Sequence, residues 1–238
     1  MTKIFAIYPT DKQYSTKFLN KIHTYLTTQL AGNWHCYKVK FTDNDHSNCI
    51  KIACSNTKFI LFMGHGRSDA LFGSCAAESN DFISPDAVEF NKDFYKNDTF
   101  ITSNNIHQFK DKIFFSFSCK SNQNNKNSIG RNAIVNDVTT FIGFGDIPTD
   151  YVSNVDFSKK AIALFKHFIT KIIKQSLFLA IKDNYCVQDL IDLIKILTNK
   201  EIQELILSKN RHKNSVIYHL YSFKDDIKIF GDKFAKLG

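Results

Sequence analysis

Two residues of this sequence stand where a nucleophile and its base would be wanted. The apolar run 58–63 (KFILFM) leads straight into Gly64-His65-Gly66, and the run 112–118 (KIFFSFS) leads straight into Cys119. A thiol with an ordinary pKa of roughly 8.5 is only a few per cent thiolate at neutral pH, so it needs a base or a positive charge beside it. His65 can take the thiol proton and then deliver it to a leaving amine, which is the proton traffic of acyl transfer. The glycines flanking His65 relax the backbone and leave the Gly66 amide unobstructed. The amides of Gly66 and Cys119 are the candidate oxyanion donors, each worth on the order of a hundredfold or more in rate.

The other cysteines, Cys36, Cys49, Cys54, Cys75 and Cys186, read as packing residues, because cysteine is among the most buried residue types. No two of the six form a CxxC pair, and their spacing fits neither a zinc ribbon nor a small disulfide scaffold. No metal and no cofactor is expected. Of the eight histidines only His65 has both a glycine setting and a strand end to recommend it.

These residues need a frame. The 238 residues are 43% hydrophobic with only 3 Pro and 9 Gly, enough apolar material for a buried sheet and too little flexible composition for long linkers. A single domain spanning 1–238 is expected. Strands are expected at 3–8, 35–41, 58–63, 112–118, 139–144 and 226–230, the central ones apolar enough to be covered on both faces. Between and after them, apolar spacing of three and four residues predicts helices over 18–30, 43–55 with Asp43 as a cap, 128–138, 161–173 and 190–197, and a short one over 202–206. The stretch 67–110 is long and polar, so loops and a small hairpin are expected there. Alternating strands and helices mean a mainly parallel α/β sheet with helices on both faces. In such sheets the loops at the carboxyl edge converge on one crevice, which is where His65 and Cys119 emerge. The Asn-rich stretch 121–127 (SNQNNKN) is a candidate order–disorder switch next to Cys119.

The net charge is +8, but the lysines are scattered, no run of five like charges occurs, and no aromatic–basic motif is present. No specific nucleic-acid partner is expected. The apolar runs 4–8 and 176–181 are far shorter than the roughly 20 residues of a membrane helix, so no membrane partner is expected either. A cytoplasmic protein with reduced thiols follows. A nucleotide-binding crevice is disfavoured, since GFGDIP after TTFI lacks the GxGxxG spacing.

With its motifs in this order, the chain resembles a CHAT domain, the caspase–HetF-associated branch of the caspase-like (clan CD) cysteine peptidases that includes separase and metacaspases. FILFMGHG matches that family's strand ending in Gly-His-Gly, and FFSFSCKS its strand ending in a Ser-Ala-Cys-like element. SIGRNAIVNDVTTFIGFGDIPTD matches the following helix and strand with a glycine and nearby acid, and DDIKIFGD the final strand. Two departures stand out: Ser118 replaces the usual Ala, and the Trp often found after the third strand is absent around Phe144-Gly145. The resemblance implies a caspase-like three-layer sandwich, with Cys119 as nucleophile, His65 as acid/base, and Gly66 with Cys119 as oxyanion donors. In separase-like relatives an acid after the third strand lines the primary pocket and selects a basic residue. Asp146 and Asp150 are the matching positions here; their competing roles are capping the turn before Pro148 and capping a helix. The implied function is a thiol endopeptidase cutting a protein partner in a bacterial antiviral defence or cell-death system, controlled by a regulatory or sensor protein. The alternative is a catalytically inactive interaction module of the same fold.

Overall fold

Strands that are apolar on both faces require cover on both faces, and the fold is the answer to that requirement. The computed structural model describes residues 4–9, 16–55, 57–74, 99–149 and 157–238. Among them are the strands β1 (Ile4–Pro9), β2 (Trp34–Val39), β3 (Phe59–Met63), β4 (Ala70–Phe72), β5 (Thr99–Thr102), β6 (Ile113–Phe117), β7 (Thr140–Gly143) and β8 (Lys228–Gly231). The helices are α1 (Asn20–Gln29), α2 (Asp43–Cys54), α3 (Ile129–Val135), α4 (Lys159–Lys182), α5 (Val187–Leu207) and α6 (Lys213–Asp225). Six strands form one sheet in the order β2-β1-β3-β6-β7-β8. It is parallel throughout except for β8, which runs antiparallel to β7.

Because successive side chains of a strand point to opposite faces, each buried strand feeds two cores. Ala6, Leu61, Phe115 and Ile142 face a layer made of α1, α4, α5 and α6, where Ile22, Phe165, Ile194 and Leu220 meet them. Phe5, Ile60, Phe114 and Phe141 face the other side, under α2, α3, the short helical turn Ile106–Phe109 and the separate antiparallel pair β4–β5. The result is a three-layer α/β sandwich with a mainly parallel sheet at its centre.

The differences from expectation have local causes. Thr42, not Asp43, caps α2, its side chain accepting the Asp45 N–H at 3.2 Å, while Asp43 sits in the first turn where its charge suits the helix dipole. The two short helices expected over 190–206 are one continuous helix, α5. Helix α6 has no counterpart among the helices expected from the spacing; it buries only Val216, Leu220 and Phe223, too narrow an apolar stripe to stand out in a polar sequence. The hairpin expected within 67–110 is β4–β5, and residues 75–98 lie outside the described residues. Among the described residues no helix is long and apolar enough to cross a membrane.

Candidate active site

Parallel register is what brings the two candidate residues to one place. β3 and β6 are neighbours, and their last paired residues are Met63 and Phe117. His65 and Cys119 therefore each lie two residues past the same rung of the ladder. One more bond extends the pairing, the Gly64 N–H donating to the Phe117 carbonyl at 3.4 Å. Beyond it, His65, Ser118 and Cys119 line a single narrow cleft of about 20 Å³, walled by Phe18 from the helical turn Lys17–Leu19 that leads into α1 and by Ile147 from the loop after β7. His65 and Cys119 are both half-buried.

The His65 loop is held from two sides. The Phe72 N–H donates to the His65 carbonyl at 3.0 Å, and the Arg67 N–H donates to the Ala70 carbonyl at 2.9 Å. These two bonds make Gly66–Leu71 a non-hydrogen-bonded antiparallel pair, in which the Gly66 amide points away from Leu71. The Ile129 N–H at the start of α3 donates to the Ser68 carbonyl at 2.8 Å and fixes the tip. Gly66 also lies against the cysteine loop: a β-carbon there would stand 2.8 Å from Ser118 Oγ and 3.0 Å from Ser118 Cβ. A larger residue at 66 would push away the residue that carries Cys119.

The Cys119 turn is built on serines. Ser116 and Ser118 share a buried hydroxyl–hydroxyl bond of 2.8 Å. The Ser121 hydroxyl donates to the Ser118 carbonyl at 3.0 Å and accepts the Phe144 N–H at 3.0 Å, tying the turn to the end of β7. Gly143 permits that contact, since a β-carbon would collide with the Ser121 carbonyl. Lys120, directly after the cysteine, adopts a left-handed backbone (φ 57), which a non-glycine residue reaches at a cost of about 1 kcal/mol. Its N–H donates to the Gly145 carbonyl at 3.0 Å, so the chain turns sharply at Cys119 and is held there. Phe117, Phe144 and Phe223 back the turn with ring centroids 5.2 and 5.5 Å apart for successive pairs. The Cys119 thiol donates to the Ile147 carbonyl at 3.4 Å.

This serine network is what reading the sequence missed. The signal was present: Ser116, Ser118 and Ser121 punctuate a buried apolar strand end, and buried hydroxyls must find partners. The stretch 121–127 also begins differently from the expected switch. Ser121 is fully buried and bonded, and Asn122 donates from its side chain to the Asp226 carbonyl at 2.7 Å.

The other described cysteines have different surroundings. Burial pushes the Cys36 thiol up to about 12, and burial also raises the thiols of Cys49 and Cys54. Cys54 donates to the Gln108 carbonyl at 3.0 Å, and Cys186 is the N-cap of α5, its N–H donating to the Asp189 carboxylate at 3.1 Å. Cys75 lies outside the described residues.

Asp146 is exposed and sits outside the cleft lining, its Oδ1 3.7 Å from Lys120 Nζ, while its neighbour Ile147 forms the wall. Its carboxylate also lies near Asp226, whose own carboxyl is held above the usual range by burial first and by Asp146 second. Asp150 lies outside the described residues. The structure thus brings His65 and Cys119 to one cleft, sets Gly66 against Ser118, and leaves Asp146 at the rim. In comparisons with known proteins, no family model matches the chain and no curated protein does.

Proposed function

We propose that this protein is a cysteine endopeptidase of the caspase-like, CHAT type, using His65 and Cys119 as its catalytic dyad. The observation that carries the reading is the shared register of these two residues, each two positions beyond the Met63–Phe117 rung and lining one cleft. In this mechanism His65 accepts the thiol proton as the Cys119 sulfur attacks the scissile carbonyl carbon. The negative charge forming on the carbonyl oxygen is met by the Gly66 and Cys119 amides. Collapse breaks the C–N bond, and His65 returns the proton to the departing amine. A water molecule, deprotonated by His65, then hydrolyses the thioester and releases the thiol.

The substrate is a protein cut after a basic residue. Asp146 supports this preference, since a carboxylate one residue from the cleft wall can exchange its exposed Lys120 contact for a substrate guanidinium, which binds in a bidentate way. The setting is a cytoplasmic antiviral defence or cell-death system, with a regulatory or sensor protein as second partner. One observation favours the non-catalytic alternative: the cleft is narrow, and the thiol is directed at the Ile147 carbonyl. Fluorogenic peptide amides ending in Arg, Lys, Asp or Leu separate the two readings. Turnover by the wild type, fastest with Arg or Lys and absent in Cys119→Ala, is the expected result; equal turnover by both chains removes Cys119 from the mechanism.

A further inference from the structure

Five of the lysines that look scattered in the sequence gather along one face of the fold. Along α4, residues 160, 163, 167, 171 and 174 recur at three-, four- and seven-residue steps and so share one face. Two adjoining grooves follow this face, of ≈ 620 Å³ and ≈ 530 Å³, and they share Ala163 and His167. Between them they are lined by Lys21, Lys160, Lys166, Lys171, Lys174 and Arg211, and by no carboxylate among the described residues. Lys171 is engaged, its Nζ 2.7 Å from Oε1 of the buried Glu201. Lys21, Lys160 and Arg211 are exposed.

The groove adjoins the candidate active site, because Phe18 lines both the larger groove and the His65–Cys119 cleft. We infer that this basic groove is an exosite for an acidic stretch of the polypeptide substrate, which runs from the cleft across Phe18 and along α4. The inference rests on the peptidase reading of His65 and Cys119, since the occupant is part of the chain to be cut. A polypeptide fits better than a single-stranded nucleic acid. Base recognition without sequence preference needs open aromatic faces for stacking, and here Lys166 lies over the Phe18 ring at 5.3 Å and Lys174 over the Tyr25 ring at 4.9 Å. The groove therefore offers ammonium groups where stacking platforms would be needed. The lysine stripe from 160 to 174 covers about 21 Å of helix, a length that about seven extended residues follow at about 3.3 Å each.

The test is equilibrium binding, by fluorescence anisotropy, to the full chain carrying Cys119→Ala. The probes are a fluorescein-labelled peptide of about ten alternating Glu and Ser residues, the same peptide with Gln for Glu, and a single-stranded oligonucleotide of equal charge. The acidic peptide is expected to bind at least about tenfold more tightly than the Gln peptide at low salt, the preference shrinking as salt rises. Lys21→Glu with Lys160→Glu is expected to weaken it by about tenfold or more, and the equally charged control Lys51→Glu with Arg131→Glu, on α2 and α3 on the far side of the sheet, by less than about twofold. Equal weakening by the two double variants, no preference for Glu over Gln, or tighter binding of the oligonucleotide would each overturn the inference. Circular dichroism of both double variants checks that they fold. Since Cys119→Ala removes chemistry from the assay, a failure of the peptidase reading shows instead as absent wild-type turnover and leaves the binding result to stand alone.

Discussion

The two edges of the central sheet carry clefts of opposite character. At the amino edge, the starts of β1 and β2 and the end of α2 enclose about 310 Å³, lined by Ile4, Phe5, Trp34, His35 and Ile52 among others. At the carboxyl edge, His65 and Cys119 share about 20 Å³. The roomier cleft has one imidazole, His35, stacked on Phe5 at 5.1 Å, and no thiol or carboxylate among its described lining residues. The smaller one joins a thiol and an imidazole carried by neighbouring strands. Volume is therefore a poor guide here. Parallel strands all end at the carboxyl edge, where their loops converge, so reactive groups from separate parts of the chain meet there and not at the amino edge.

The sharpest way to break this comparison is to remove function from each edge in turn. Cys119→Ala or His65→Ala is expected to lower peptide turnover by about 10³-fold or more, whereas His35→Ala at the amino edge changes it by less than about twofold. A rate assay on the three variants decides it; comparable losses at both edges would erase the distinction. A paired glycine experiment separates activity from stability. Gly66→Ala drives a β-carbon into Ser118, with an expected cost of about 1–3 kcal/mol and a loss of about 10- to 100-fold in turnover. Gly32→Ala meets no atom within 4 Å but must hold φ +83, so it costs about 1 kcal/mol in urea melts and leaves turnover unchanged.

A smaller effect concerns pH. His46 is buried at the end of the sheet where β2 leads into α2, with Nδ1 2.8 Å from the Thr42 carbonyl and Nε2 accepting the Ser74 N–H at 3.0 Å. Burial lowers its pKa, the Thr42 bond and nearby carboxylates opposing. The folded state thus binds the proton less readily than the unfolded chain, and stability is complete above the ordinary value of roughly 6.5 and falls as the pH drops through the lowered one. Urea midpoints between pH 7.5 and 5 should fall less steeply in His46→Gln than in wild type. The comparison of slopes is needed because His23 and His219 are lowered by burial as well and contribute with the same sign. An unchanged slope would remove His46 as a source of acid sensitivity.

The smallest change in stability is expected at the rim. Asp146→Asn loses an exposed ion pair with Lys120 and should alter the urea midpoint by no more than about 0.5 kcal/mol. It should nevertheless reduce the turnover of Arg-ending over Leu-ending peptides, a ratio that stays constant if Asp146 only faces solvent.

Which parts of this architecture were legible in the sequence follows from physical range. Strands such as 58–63 and 112–118 announce themselves because burial on both faces leaves no polar interruption, and β3 and β6 lie where those runs fall. The placement of His65 and Cys119 at strand ends was local information too. What closes the site is not local. Ser121 reaches Phe144 across 23 positions, and Gly66 owes its small size to Ser118, in the turn after a different strand. Neither dependence leaves a trace in the spacing of either segment. The left-handed Lys120 is similarly silent, because nothing in a lysine marks a position that glycine would favour. The basic groove was hidden for the same reason: Lys21 and Lys174 are far apart in the chain and adjacent only once α1 packs on α4.

The most direct test of the central claim is covalent labelling with an Arg-bearing peptidyl acyloxymethyl ketone, read by mass spectrometric mapping of every cysteine in wild type and in His65→Ala. Labelling confined to Cys119 and lost with His65 is the predicted result. Cys119 left unmodified in a folded wild-type chain, or modified at the same rate without His65, would contradict it.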